Sequence, residues 1–345
     1  MEILFNIEYP ILTHMIFNDN LLKNLYSTLK YMKKIDGWRK WAVAEGLTKT
    51  ASRTFQKVAG TASNNWGGAF LVAGIIGFVQ VASSLIIISK NGERIFGDLK
   101  GMFGSILFGL LALTSTVFGI ATFLYGGDIS TSTFIVTLSI VPGMMIDIIF
   151  FKYQAKSKEW LGIVVAILAG WAVLDFPRLN SLSSFPTWVW FAFGTMMTVA
   201  INQGITQSVR KVSPMFKNFW GGMVALVGAP IAMFMIGEEK LLLSFFDNKI
   251  LWFTSATIGF IVIAMWSFNL LSYKEGASIA LKKLVMNGTY LLSTMILGNL
   301  IFHEEITTGK WTAIPLFLIA YVLMDKKAYD FIFSPPTSGK MESAR

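Results

Sequence analysis

The chain has 345 residues, of which 54% are hydrophobic and 14% are charged, and its formal net charge is +9. Soluble globular proteins carry roughly 25% charged residues, so this composition excludes a water-soluble fold of this size, and its richness in aromatic residues excludes intrinsic disorder. The absence of cysteine excludes disulfides and thiolate chemistry, and two histidines are too few for a histidine-based metal site. A polytopic membrane protein is therefore predicted.

The N-terminal residues 1–36 are predicted to form a cytoplasmic or interfacial extension. No run within them is long and apolar enough to cross a bilayer. Apolar residues recur there at helical spacing and lysines accompany them, which is typical of a basic amphipathic helix on an anionic membrane surface. A short soluble extension is the alternative. The apolar residues of this pattern are Phe17, Leu21, Leu25, Leu29 and Met32.

The next segment, residues 37–60, is polar for a membrane span. Glu45, Lys49, Arg53 and Lys57 follow one another at intervals of four, so they share one face of a helix. A charge at the bilayer centre costs about 2.5–3.5 kcal/mol on insertion scales. The segment can therefore span only if this face turns into a bundle or a cavity; an amphipathic surface helix is the alternative.

Nine later segments are long and apolar enough to cross a membrane, for which about 20 residues are needed. The connectors between them are short, so neighbouring helices are expected to be antiparallel and packed together. The segments cover residues 66–89, 102–125, 132–151, 160–176, 186–207, 217–237, 250–273, 277–302 and 310–325.

The basic residues of the connectors lie mainly on one side of the predicted bundle. The loop 90–101, the alternate connectors after it, including Lys217, and the C-terminal tail carry fourteen Lys and Arg residues, against four on the opposite side. This positive-inside pattern accounts for the basic net charge, and we expect no nucleic-acid partner. Nine spans would put the N-terminal lysines on the wrong side, so a tenth crossing within 37–60 is favoured.

An internal repeat supports the tenth crossing. Similar motifs recur in the same order about 150 residues apart, so the chain divides into two five-helix units. With an odd number of spans per unit, the second unit enters the membrane upside down relative to the first, and inverted repeats are an architecture of carriers. The recurring positions are Trp66 and Trp220, Gly46 and Gly204, Phe151 and Phe302, and Trp160 and Trp311.

Several motifs point to one family. The fourth span SIVPGMMIDIIFF has a proline in mid-helix, Pro142, and the two repeats end in KSKEWLGIVVAILAGWAVL and TTGKWTAIPLFLIAYVLM. An acidic connector with Glu304 and Glu305 follows the ninth span. Over residues 37–325 the chain resembles the drug/metabolite transporter superfamily, of the EamA-type permease kind. The resemblance implies a carrier with ten helices in a five-plus-five layout.

Polar residues inside spans are the candidates for a substrate site, because such groups are costly against lipid. In the ninth span, Lys283, Asn287 and Tyr290 form one polar face. Lys282 points about 100° away, so we expect Lys283 to face a cavity and Lys282 to snorkel to the cytoplasmic interface; snorkelling of both is the alternative. Ala280-Leu281-Lys282-Lys283 also resembles the Ala-Leu-Asn-Lys stretch of nucleotide-sugar transporters, where Lys283 would match the substrate-side lysine.

The sixth and eighth spans complete the predicted substrate site. Asn202 and Thr206 share a face of the sixth span, and Trp266, Asn269 and Tyr273 share a face of the eighth. The amides could hydrogen-bond a substrate or hold helices together, and the aromatic rings could pack on a substrate or only on the core.

Two carboxylates are candidates for ion coupling. Asp147 lies in the fourth span and Glu45 in the polar first segment. A carboxylate within a membrane is a functional hypothesis by default, and Asp147 could bind a proton or a cationic substrate. Pairing of Asp147 with Lys152 near the cytoplasmic boundary is the alternative.

The fold predicted from these observations is all-α and integral to the membrane, with ten transmembrane helices as two inverted five-helix repeats. The repeats cover 37–176 and 186–325, and 326–345 form a cytoplasmic tail. The predicted function is secondary-active transport of a small metabolite by alternating access. Transport of nucleotide sugars or phosphorylated metabolites is one alternative, and a non-transporting, degenerate membrane protein is another.

No enzyme signature is present, and we expect neither a cofactor nor a metal site. The expected partners are a small-molecule substrate and membrane lipid, with the protein a monomer or a homodimer. Because no cleaved signal sequence is recognisable, the expected location is the cell membrane, namely a bacterial inner membrane, with both termini cytoplasmic; the membrane of a eukaryotic organelle is the alternative.

Overall fold

The structure, a computed structural model, describes residues 37–63, 65–96, 98–176, 185–240, 248–324 and 329. The amphipathic helix predicted within residues 1–36 and, apart from Tyr329, the predicted tail lie outside the described residues. Within the described ranges every regular element is a helix.

We number the helices α1 to α10 in chain order and count the interrupted fourth helix as one. They are α1 Trp38–Ala62, α2 Trp66–Asn91, α3 Leu99–Leu124, α4 Ile129–Phe151, α5 Ser157–Val173, α6 Thr187–Ser208, α7 Pro214–Met235, α8 Lys249–Lys274, α9 Ile279–Phe302 and α10 Thr308–Met324.

Six of these helices, α2, α3, α4, α7, α8 and α9, are long and apolar enough to cross a membrane. Their most apolar windows have a mean hydropathy of 1.4 to 2.4, and α10 is apolar but shorter. Large apolar side chains such as Phe150 and Phe234 are exposed on the bundle surface, as expected where a protein faces lipid rather than water. The chain is therefore an all-helical, multi-pass membrane protein.

Helices α3 and α8 begin and end 150 residues apart. Helices α3 and α8 both have 26 residues. Asp98 caps α3 by accepting a hydrogen bond from Gly101 N–H at 2.8 Å, and Asn248 caps α8 by accepting one from Leu251 N–H at 3.0 Å. Such side-chain caps satisfy N–H groups that lack partners within the helix.

The later helices show the same correspondence. Helices α5 and α10 both have 17 residues. The helices before them end at Lys152 and His303, both in the left-handed conformation with φ 53°. The backbone N–H of the following residue, Tyr153 or Glu304, donates to a carbonyl six residues earlier, at 3.0 Å in both cases. Helices α3 and α8, and α5 and α10, therefore agree in length, whereas α1 and α2 are three to four residues longer than α6 and α7.

Helix α4 is interrupted at Leu138 and Ser139, between segments Ile129–Thr137 and Ile140–Phe151. Pro142 has no N–H to donate to the carbonyl four residues earlier, so the ladder of backbone bonds breaks there. Two side chains of α9 donate hydrogen bonds to carbonyl oxygens at this break, and these bonds link α4 to α9.

The most extensive helix interfaces join the first half of the chain to the second. Helix α1 packs on α8 and α9, α2 on α7 and α8, α3 on α6 and α7, α4 on α6 and α9, and α5 on α10. The backbones of α1 and α9 approach closely at Gly46, where an added Cβ would lie 2.7 Å from the carbonyl oxygen of Met286. One apolar cluster lies among α2, α3, α7 and α8, and another among α4, α5, α9 and α10.

Candidate functional site

The charged face of α1 turns into the bundle. Glu45 is 0% exposed and Arg53 is 4% exposed, and Lys49 is largely buried. Their spacing of four residues places them along one stripe of the helix. Side chains of α8 and α9 meet the stripe at Glu45, and α3 and α4 meet it at Arg53. The polar segment 37–60 is thus a buried helix rather than a surface helix.

Glu45 is the centre of a buried polar network. Its Oε2 lies 2.7 Å from Lys282 Nζ on α9, and its Oε1 accepts a hydrogen bond from Asn269 Nδ2 on α8 at 3.0 Å. Lys49 Nζ lies 3.5 Å from the same Oε1. The carboxylate is therefore shared by two lysines and an amide from three helices.

Gln203 of α6 is the second acceptor of this network. Its Oε1 accepts hydrogen bonds from Lys282 Nζ at 2.7 Å, from Tyr273 OH at 2.7 Å and from Asn269 Nδ2 at 2.8 Å. Three donors on one amide oxygen bring α6, α8 and α9 together at one point.

Lys217 extends the network into α7. Its side chain is 0% exposed, and its Nζ donates to Thr206 Oγ1 at 3.0 Å and to Asn269 Oδ1 at 3.2 Å. The ammonium also lies 3.7 Å from the ring centroid of Phe108, within the range of a cation–π interaction. Within the described ranges no carboxylate forms an ion pair with it.

Arg53 occupies a separate position on α1. Its guanidinium donates to Gln56 Oε1 and Ser132 Oγ, both at 3.2 Å, and to the carbonyl oxygen of Gly119 at 3.5 Å. It also lies 4.3 Å from the ring centroid of Phe123. All of these partners are neutral.

A cavity of about 120 Å³ lies between these groups. The cavity has room for several waters or a comparably small solute. Polar and aromatic side chains of α1, α3, α6, α8 and α9 line it. They include Glu45, Lys49, Arg53, Gln56, Asn202, Gln203, Trp266, Asn269 and Tyr290.

Five of the predicted site residues line this cavity: Glu45, Asn202, Asn269, Trp266 and Tyr290. The ring of Trp266 packs edge-on against Phe108 at 4.5 Å between centroids.

Thr206 and Tyr273 lie behind the cavity wall, bonded to Lys217 and Gln203 respectively. Asp147 is buried in the second segment of α4 and does not contribute to the wall of the cavity.

The orientation of the two lysines of α9 differs from the prediction. Lys282 does not snorkel to an interface: it is 0% exposed and paired with Glu45, so that prediction is wrong. Lys283 lies outside the cavity wall; its Nζ donates to the carbonyl oxygen of Ser139 at 3.0 Å. Asn287 Nδ2 likewise donates to the carbonyl oxygen of Thr137 at 2.9 Å. Both side chains satisfy the break in α4.

Three basic residues that the sequence analysis did not propose for substrate binding contribute to the site: Lys49, Arg53 and Lys217. The first two share a helix face with Glu45, and that spacing was the available signal. Lys217 was counted with a connector, yet α7 begins at Pro214 and Ser213 caps it by accepting from Phe216 N–H at 3.1 Å. A Ser-Pro pair at a helix start is a recognisable signal, and it would have placed Lys217 inside the helix.

A carboxylate, Glu304, links α1 to the start of α4 at the end of the bundle where α1 ends. Glu304 accepts hydrogen bonds from Ile129 N–H at 2.6 Å and Ser130 N–H at 3.1 Å, at the start of α4, and it pairs with Lys57. Burial raises the pKa of Glu304, but Lys57 and these N–H donors outweigh it and hold the pKa below its ordinary value. A carboxylate at a helix N-terminus is also favoured by the helix dipole.

Comparison with known proteins defines the fold and leaves the chemistry open. No protein-family model matches the sequence, and no curated protein is detectably similar to it. Twenty-eight chains of solved structures match the fold. One crystal structure aligns with a TM-score of 0.57 and 11% identity over 84% of this chain and 98% of that chain. At this identity the likeness shows a shared fold alone.

Proposed function

We propose that this protein is a secondary-active carrier of a small metabolite that works by alternating access between two inverted five-helix repeats. One observation carries the proposal: a charged and polar cavity lies inside a bundle of membrane-spanning helices, at the interface of the two halves of the chain. Intramembrane polar groups are expensive, and transport across the bilayer is a function that requires them there.

The helix pattern supports the repeat. Equivalent caps, equal helix lengths and left-handed helix ends recur 150 or 151 residues apart, and the interfaces between helices pair each half with the other. Units 37–176 and 186–325 with five spans each would be inverted relative to one another, and carriers of this type bind substrate at the repeat interface. Membership of the drug/metabolite transporter superfamily, of the EamA-type kind, is part of the proposal.

The basic connectors favour an orientation with both termini in the cytoplasm, and the inner membrane of a cell is the proposed location. In this orientation α1 and α9 run from the cytoplasm outward. The pair Glu45–Lys282 then lies toward the cytoplasm, and Glu304 with Lys57 lies toward the outside.

Substrate would contact the wall of the cavity. Asn202 and Asn269 would hydrogen-bond it, and Trp266 and Tyr290 would pack on it. Glu45 is the coupling candidate, because a proton or a substrate that neutralised its carboxylate would release Lys282 and Lys49 together.

Cavity size favours a small metabolite. Sites that enclose drug-sized ligands have volumes of roughly 300–1,000 Å³, whereas this one has about 120 Å³. A nucleotide sugar would require a much wider state of the protein. That alternative is nevertheless supported by the number of basic side chains around the cavity, and so is transport of smaller phosphorylated metabolites.

The test is flux into proteoliposomes that contain the purified full-length protein. Labelled amino acids, amines, sugar phosphates and nucleotide sugars are offered to wild type, to Asn269→Ala and to Phe260→Ala. Asn269 lines the cavity, whereas Phe260 lies on the same helix and is exposed on the bundle surface. We expect at least one solute to accumulate, a loss of flux of tenfold or more in Asn269→Ala, and normal flux in Phe260→Ala.

No flux of any solute by folded wild-type protein would contradict the proposal and favour the non-transporting alternative. Equal losses in both variants would mean that the cavity has no special role in flux.

A further inference from the structure

The buried charges around the cavity do not balance. Five basic side chains, Lys49, Arg53, Lys217, Lys282 and Lys283, project into the bundle interior against three buried carboxylates, Glu45, Asp147 and Glu159. Glu45 is already paired with Lys282 at 2.7 Å. Basic side chains thus outnumber carboxylates inside the bundle.

Arg53 is the sharpest case. It forms no ion pair with a carboxylate in the part of the chain that the structure describes, and its Nε–H has no hydrogen-bond partner there. The side chain is nonetheless 96% buried, since 4% of it is exposed. A buried donor left unsatisfied and a buried charge left unpaired both destabilise a fold. Such a group is best explained if a ligand completes it.

The position of Arg53 suits a ligand. Both Arg53 and Lys49 line the cavity, one helical turn apart, or about 6 Å along α1. Gln56 and Ser132 orient the guanidinium from the sides, while Nε–H keeps its bonding capacity. Arginine binds carboxylate and phosphate groups through paired N–H donors, and lysine adds a point charge.

We propose that the cavity binds a small metabolite by its oxyanion group, a carboxylate or a phosphate, with Arg53 as the anchor and Lys49 as the second cation. This inference rests on the proposed function and names the class of its substrate. The volume of the cavity limits what is enclosed in this conformation to the anionic group and a few neighbouring atoms.

Thermal unfolding of the detergent-solubilised full-length protein tests the inference. The probes are two matched pairs: glycerol 3-phosphate against glycerol, and lactate against 1,2-propanediol, with sodium chloride added to equal ionic strength. A ligand that binds only the folded protein raises its melting temperature. We expect at least one anion to raise the Tm of wild type by several degrees at saturation, and neither alcohol to do so. The pair that responds distinguishes phosphate from carboxylate.

Variants locate the effect. Arg53→Gln should abolish the shift, and Arg53→Lys should weaken apparent binding at least tenfold because it keeps the charge and loses the paired donors. Arg210→Gln, which changes an exposed arginine after α6, should respond as wild type. If Arg53→Gln does not fold, two results still test the inference. Wild type should be stabilised by an anion and not by the matching alcohol, and Lys49→Met should bind that anion more weakly than wild type.

Alcohols that stabilise as strongly as anions, or an Arg53→Gln protein that still responds, would overturn the inference. Flux distinguishes it from the proposed function. Anion binding through Arg53 without flux would support the oxyanion site and contradict the proposed transport function. Flux of neutral or cationic solutes only would support the proposed transport function and contradict the oxyanion site.

Discussion

Removing one partner of the buried ion pair between Glu45 and Lys282 should strongly destabilise this bundle. Lys282→Met removes the cation 2.7 Å from Glu45 Oε2. Breaking a buried ion pair by removing one partner costs about 3–5 kcal/mol, because a charge is left buried without compensation. Lys49 remains 3.5 Å from the carboxylate, so we expect the lower end of that range, about 3 kcal/mol.

A second ion pair of α1 provides the control. Lys40 Nζ lies 3.6 Å from Glu275 Oε1, and the two side chains are 36% and 34% exposed. Exposed pairs contribute about 0–1 kcal/mol, so Lys40→Met should change little. At roughly 2 °C per kcal/mol, the lower end for larger domains, Lys282→Met should lower the melting temperature by about 6 °C and Lys40→Met by less than about 2 °C.

The double variant tests the reasoning itself. Lys282→Met leaves the carboxylate of Glu45 buried without its closest cation, and adding Glu45→Gln removes that charge. The double variant should therefore lose less stability than the sum of the losses in the two single variants. Melting is followed in detergent by intrinsic tryptophan fluorescence. A Tm of Lys282→Met within about 2 °C of wild type, or strict additivity in the double variant, would refute the claim that these two groups neutralise each other.

Two further predictions concern the link between α9 and α4 and the closed end of the bundle. Lys283→Met removes the side-chain donor of the Ser139 carbonyl, to which Gly143 N–H still donates at 3.0 Å, and should cost about 0.5–1.5 kcal/mol, the net contribution of one hydrogen bond; loss of flux at unchanged melting temperature would instead favour the cavity role expected for Lys283 from the sequence. Glu304 has a lowered pKa, so its stabilising effect is full above the ordinary carboxyl value of about 4.3 and is lost as pH falls through the folded-state value. Wild-type melting temperature should therefore decline on acidification below about pH 4.3 more steeply than that of Glu304→Gln, and parallel curves would contradict this.

Apolar runs were sufficient to locate most helices. The segment predicted over 66–89 is α2, Trp66–Asn91, and that over 250–273 is α8, Lys249–Lys274. Polar α1 was predicted from charge asymmetry and repeat spacing rather than from hydropathy, because its own composition does not favour a span. Segment-scale features of this kind depend on local sequence, which is why they could be anticipated.

The site was less predictable because its partners are distant in the chain. Helical geometry required Lys282 and Lys283 to diverge, but it could not determine which partners each side chain meets in the interior. That choice depends on Glu45, on a helix at the opposite end of the sequence, and on the break in α4 that Lys283 satisfies. Arg53 and Lys217 were overlooked as site residues for the same reason: their neutral partners and the cavity exist only after the helices pack.

The packing of α1 against the last helices has a consequence for biosynthesis. Lys282 leaves the ribosome about 240 residues after Glu45, which at roughly 5–20 residues per second is a delay of about 12–48 s. Throughout that interval Glu45 lacks its partners on α8 and α9, so we expect α1 to settle into the bilayer late, after these two helices have been made. Protease protection of residues 37–62 in ribosome-bound chains should appear only when the nascent chain extends beyond α9; protection in chains that end before α8 would show that α1 inserts on its own.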